Sequence, residues 1–166
     1  MGVYRFSNLP TNVEEFKKLP YYDLTNPHNT FAMFIVALGM FIKDKTAGTE
    51  CINLLRGPEP LSNYDMSFLN ERVADKPYFA NVYFEGASPS NNYTPLEPLS
   101  IKTIEDSAPQ YTAGENYKRV FIKEDGFDNI RYATFRLKPS TGCWYLSDYS
   151  GILVGVKTPA EANPWA

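Results

Sequence analysis

Histidine occurs once in these 166 residues and cysteine twice, and that scarcity removes whole classes of chemistry. Any Ser-His-Asp or Cys-His arrangement has to use His28, because there is no other imidazole. Cys51 and Cys143 stand far apart without a CxxC spacing or a neighbouring histidine, so no metal site is expected. They read as buried free thiols. The ten glycines never gather into G-x-x-x-x-G-K or G-x-G-x-x-G, which leaves no phosphate loop and no dinucleotide fingerprint. The G-x-S-x-G elbow is missing too. No cofactor is expected. With a net charge of −3 and its Lys and Arg scattered singly or in pairs, the chain has no basic stripe for a phosphate backbone, so nucleic acid is not an expected partner.

Long hydrophobic runs are lacking as well. The longest, Phe31 to Ile42, has twelve residues without a polar side chain. As a helix it would cover about 18 Å of a roughly 30 Å hydrocarbon layer, so no membrane span is expected. The start, MGVYRFSNLP, has no charged region followed by an apolar one, and no signal peptide is expected from it. A cytoplasmic setting suits that start and the free thiols, although a leader removed beforehand would leave the same sequence. Asn92-Tyr93-Thr94 fits the glycosylation pattern, which matters only in a secreted eukaryotic protein.

What is present is an ordinary globular composition, 43% apolar and 21% charged, enough to build one domain's core. Aromatics at 15%, mostly 12 Tyr and 11 Phe, favour sheet. Thr11-Asn-Val-Glu14 reads as a capping box opening a short helix that stops before Pro20. Asn26 as cap and Pro27 at the first position begin a helix predicted over 27–43. It is apolar all round, and must therefore be covered on every side as the central helix. Gly39 within it implies close approach of another element or room for a ligand. Ala47, Cys51, Ile52, Leu54 and Leu55 repeat at helical spacing until Gly57-Pro58, and Ser62 to Asp65 caps a further helix ending at Lys76-Pro77.

Beyond Tyr78 the pattern turns to strands. PYFANVYFEG reads as one or two, ASPSNNYTPLEPL as a long loop, and 117–123, 130–138, 143–147 and 152–156 as an antiparallel meander. Helices before antiparallel strands make a single-domain α+β fold, the helices packed on one face of a curved sheet. This element order, with Trp144 in the penultimate strand, resembles the cone-shaped NTF2-like fold. That resemblance implies an apolar pocket between central helix and sheet, and no particular activity. Four blocks, NPHNTFAMFIVALGMFIKDK, LLRGPEPLSNYDMSFL, DKPYFANVYFEGASPSNNYTP and FRLKPSTGCWYLSDY, are similar to an uncharacterised bacterial family, a domain of unknown function. This implies a bacterial origin and a single folded unit, and assigns no residue a role.

The candidate residues follow from position. His28, in the first turn of the central helix, is a polar group at a pocket mouth or a local cap; its pKa should be lowered at a helix N-terminus. Asp148, with Tyr149 beside it, is a ligand contact or a turn residue, and Asp65 part of a cap. Alternation places Val120, Ile122, Phe135, Leu137, Trp144 and Leu146 on the core face of the sheet. The opposite face carries Tyr117, Arg119, Phe121, Tyr132, Thr134, Arg136 and Tyr145. Tyr and Arg together are the composition of an interaction patch, and equally of a solvated face with cross-strand pairs. The leading expectation is a non-enzymatic module that binds a protein partner or forms a homodimer through that face. The alternatives are a pocket protein taking a small apolar ligand near His28 or Asp148, and a carbohydrate binder using exposed Tyr and Trp165.

Overall fold

A computed structural model describes residues 2–112 and 114–166. Strand β1 (Gly2–Phe6) leads through the short α1 (Val13–Lys17) into α2 (Pro27–Lys43), followed by α3 (Lys45–Arg56) and α4 (Asn63–Val73). Strand β2 (Leu99–Thr103) pairs antiparallel with β1, and β3 (Tyr117–Ile122), β4 (Arg131–Lys138) and β5 (Cys143–Asp148) form an antiparallel meander. One bridge, Ile104 to Phe121, joins the two sheets. The α+β class is as expected, with the sheet in two pieces.

Helix α2 starts where Asn26 Oδ1 accepts from the His28 N–H, and Pro27 loses no hydrogen bond by lacking a donor there. Between Phe31 and Leu38 every residue is buried, and full burial of each large side chain contributes about 1.5–3 kcal/mol. Phe31 meets Phe135 of β4 at 6.2 Å between ring centres, and Phe34 meets Tyr149 at 5.5 Å. Thr30, fully buried, donates its hydroxyl to the Trp144 carbonyl at 2.8 Å and so pins the helix to β5. The side of α2 turned to the meander is thus filled by side chains.

Asp44 ends α2 and starts α3: its N–H donates to Met40 O, and its carboxylate accepts from the Ala47 N–H. So tight a corner presses the two helices together at Gly48, where a Cβ would stand 2.1 Å from the Phe41 Cα. The box expected at Thr11–Glu14 does not form at α1. Asn12 is the cap, while Glu15 accepts from both the Thr11 N–H and hydroxyl. Ser62 and Asp65 form the expected box at α4.

Two expected strands are not strands. Phe79–Tyr83 is a 3-10 helix with Phe79, Ala80, Val82 and Tyr83 buried, a spacing that fits a helical face better than alternation. Residues 152–156 contain no strand; Ser150–Ile152 is a 3-10 turn. The carbonyls here go to side chains. Arg131 donates to the oxygens of Gly151 (3.0 Å), Gly155 (3.2 Å) and Val154, and the Tyr83 hydroxyl donates to Ile152 O. A ladder would have needed the same oxygens. Conversely β1 and β2, unannounced by the sequence reading, hold Tyr4, Phe6, Ile101 and Thr103 in the core.

Candidate functional site

On the side of the meander away from α2, cross-strand register decides which side chains meet. Tyr117 stands opposite Arg136, Arg119 opposite Thr134, Phe121 opposite Tyr132, and Arg136 in turn opposite Tyr145. Phe121 and Tyr132 touch at 5.1 Å between ring centres. The Arg119 guanidinium lies 5.1 Å from the Phe121 ring centre and 5.3 Å from that of Tyr132. Its donors are also engaged: Nε to Asp106 Oδ2 at 2.8 Å, and Nη2 to Asp106 Oδ1 and Ala108 O at 2.9 Å each. A planar fork held by a bidentate carboxylate against two rings has lost its rotamer freedom before any partner arrives. The Arg119 bonds hold the Asp106 carboxyl below its ordinary range. Arg136 continues the row, 5.5 Å above the Tyr117 ring and 3.7 Å from Glu59.

Several backbone groups on the open edges of β5 and β1 are already used. Along β5, Trp144 N donates to Leu24 O, and Arg56 Nη1 donates to Ser147 O at 3.1 Å and more weakly to Leu146 O at 3.5 Å. On β1 the Tyr21 hydroxyl serves both the N–H and the C=O of Arg5. Groups occupied in this way cannot template another strand, which is how natural sheets block edge-to-edge pairing.

At one end of the Tyr/Arg row is a cleft of about 480 Å³, bordered by His28, Glu105, Tyr117, Lys118, Arg119 and Trp144. His28 lies at its base, only 8% exposed. Its Nδ1 is 2.7 Å from Thr103 Oγ1, which accepts from the Gly2 N–H, and its Nε2 is 3.3 Å from Glu105 Oε1. Burial lowers the His28 pKa, against a smaller opposite pull from Glu105, so the direction expected from the helix N-terminus has burial as its main cause. In the neutral ring this network puts the proton on Nε2, towards Glu105, with Nδ1 accepting from Thr103. Thr103 is fully buried; its hydroxyl cannot attack a substrate in the cleft. His28 thus ties the start of α2 to β2, while Lys118, 4.8 Å above the Trp144 ring, offers a cation at the rim.

Asp148 and Tyr149 line a different hollow, of about 250 Å³, with Arg56, Tyr64 and Asp65. Asp148 accepts from the Ser150 N–H and hydroxyl, the bonding of a turn. Tyr149 is buried, its hydroxyl pushed up to about 12 by that burial, with the Arg56 guanidinium 5.6 Å from its ring centre. Tyr145 covers Gly57 and borders a third cleft, of about 310 Å³, with Arg56, Glu59, Arg136 and Lys138. The structure therefore joins His28 to Tyr117 and Arg119 and sets Arg136 and Tyr145 beyond them, in a cleft that adjoins the Asp148 hollow through Arg56 and Ser147.

Sequence reasoning missed Asp106 and Glu105, since 99–116 carried no periodic signal, and it missed Lys118 within an expected strand and Glu124. That side chain is half-buried, and burial first, then the charge of Glu85, raises its pKa to about 8. Among the described residues no group of three or more His, Cys, Asp or Glu could hold a metal ion. Both cysteines are free, and burial pushes the Cys51 thiol up to about 11. No helix of the described residues is long and apolar enough to cross a membrane.

Among known families, the one described as a domain of unknown function, DUF6935, matches residues 8–160. Neither a curated protein nor a solved structure matches the chain.

Proposed function

We propose that this chain, which belongs to the DUF6935 family, is a non-enzymatic binding module that takes a protein partner on the Tyr/Arg face of its meander. The observation that carries the reading is the clamp on Arg119, fixed by Asp106, Phe121 and Tyr132. Ordering an arginine during association costs about 0.5–1.5 kcal/mol, and here that cost falls in folding instead. Tyr and Arg are also the residue types most often found at energetic centres of interfaces. Tyr132, 43% exposed, and Arg136 present the accessible part of the row. The side chains that occupy edge groups of β5 and β1 favour a face over an added strand at those points.

The test is a double variant, Tyr132→Lys with Arg136→Glu, compared with the wild type by sedimentation and by crosslinking against candidate partners. Wild-type chain should form a complex, with a partner or with a second copy, that the variant loses while its circular dichroism stays unchanged. A wild type that stays monomeric at high concentration, and captures nothing that the variant does not also capture, would remove the proposal.

A further inference from the structure

Gly39 raises a separate question. It sits in the C-terminal half of a helix whose residues from Phe31 to Leu38 are all buried, and it is itself partly exposed. Glycine at such a position costs about 1 kcal/mol relative to alanine. Packing supplies no reason for it. A Cβ built there would find only the Ala80 Cβ, at 3.5 Å, an ordinary contact. The contrast with Gly48, where the neighbouring backbone leaves no room at all, shows what a sterically required glycine looks like in this fold.

What lies over Gly39 is a pocket of about 220 Å³. Its walls include Ile35 and Met40 from α2, Ala47 from α3, and Ala80 and Phe84 from the 3-10 segment and the residue after it. Thr11 and Asn81 are among its few polar neighbours, and the charges at its border, Lys43 and Asp44, are of opposite sign. It lies away from the meander, since the helix–sheet contact is filled by Phe31, Phe34, Phe135 and Tyr149.

We infer that this pocket is a binding site for a small uncharged molecule with an apolar body of one or two rings and one hydrogen-bonding group. Size decides the class. Drug-sized ligands occupy about 300–1,000 Å³, whereas a dry apolar cavity of about 150 Å³ is enough for benzene. A volume between these suits an indole or a benzyl alcohol and excludes a fatty acyl chain, a helix or a strand. The apolar walls supply the affinity, and the Asn81 side chain can orient the polar end. Offsetting charges at the border favour a neutral ligand over an anion or a cation. Leaving out the β-carbon at position 39 keeps the floor of the pocket clear, which accounts for a glycine that packing does not require. The inference does not depend on the Tyr/Arg face.

Indole and benzyl alcohol are the probes, titrated against the whole chain by ligand-observed NMR and by thermal shift. The wild type should bind at least one of them saturably at one site. Gly39→Leu, which fills the space, should weaken that binding at least tenfold, and Gly39→Ala should weaken it about threefold while melting at or above the wild-type temperature. The double variant on the sheet face should bind as the wild type does. Absence of saturable binding by the wild type overturns the inference, as does unchanged affinity in Gly39→Leu. If Gly39→Leu fails to fold, Gly39→Ala decides alone, and unchanged affinity there is the overturning result.

Discussion

Gly48 of α3 lies against Phe41 of α2 so closely that a β-carbon on the glycine would stand 2.1 Å from the phenylalanine Cα and 2.2 Å from its backbone nitrogen. The obstacle is backbone, which cannot swing aside as a side chain would. Gly48→Ala should therefore destabilise by about 3 kcal/mol or more, the upper end of overpacking costs. Gly39→Ala should change stability in the other direction, by up to about 1 kcal/mol. Urea denaturation of the two variants side by side checks the pair. A Gly48→Ala protein as stable as the wild type would show that the helix corner is looser than described.

The Asp106–Arg119 pair predicts a linked effect on stability and on binding. Asp106→Asn keeps the shape and removes the charge, leaving the guanidinium without its counter-ion. Hydrogen bonds to charged groups contribute about 1.5–3 kcal/mol, so a loss of about 2 kcal/mol is expected. The carboxyl titrates below its ordinary value in the folded chain. Its contribution is thus present above the unfolded pKa and disappears as pH falls through the folded one. The acid limb of the stability profile should be shallower in Asp106→Asn, as measured by denaturation between pH 2 and 6. Association through the face should weaken together with it.

Glu124 works with the opposite sign. Its folded pKa, about 8, lies above the ordinary 4.5, with burial the main cause and Glu85 the next, and Asp125 adding to them against Lys123 and Lys102. Folding therefore favours the protonated acid. That preference is fully present below pH 4.5 and drains away as pH rises to about 8. Glu124→Gln, which mimics the neutral acid, should be more stable than the wild type at pH 9 and differ little from it at pH 4. Equal pH slopes for the two proteins between those values would contradict the assignment.

Arg131 holds three carbonyls of the segment that follows β5. Arg131→Met keeps much of the side-chain volume and removes every one of those donors. Hydrogen exchange should then quicken across residues 150–157 while α2 stays protected. Uniform loss of protection over the whole chain would mean that this segment unfolds only with the core.

The helices were legible because their signals are local. Asn26-Pro27, the Ser62–Asp65 box and the Gly57-Pro58 stop act within one turn of chain, and α2 occupies the predicted range. The three strands of the meander were legible through alternation, which sorted Val120, Phe135 and Leu146 inward and Tyr132 and Arg136 outward. Ile152 to Val156 misled because Ile152 and Leu153 are buried without a ladder, the carbonyls of the segment claimed by the side chains of Arg131 and Tyr83, twenty or more positions away. β2 passed unnoticed because what makes it a strand is a partner about a hundred residues earlier.

By itself, then, the order of residues determined that α2 would be too short and too apolar to be anything but an enclosed helix, and that Tyr and Arg would share one side of a sheet. Only the tertiary structure decided that Asp106 would lock Arg119, that His28 would be tied to Thr103, and that open space would lie above Gly39. The physical reason is range. Capping and periodicity are written within a few residues, whereas an ion pair, a buried hydrogen bond or a cavity exists only once distant segments have been brought against each other.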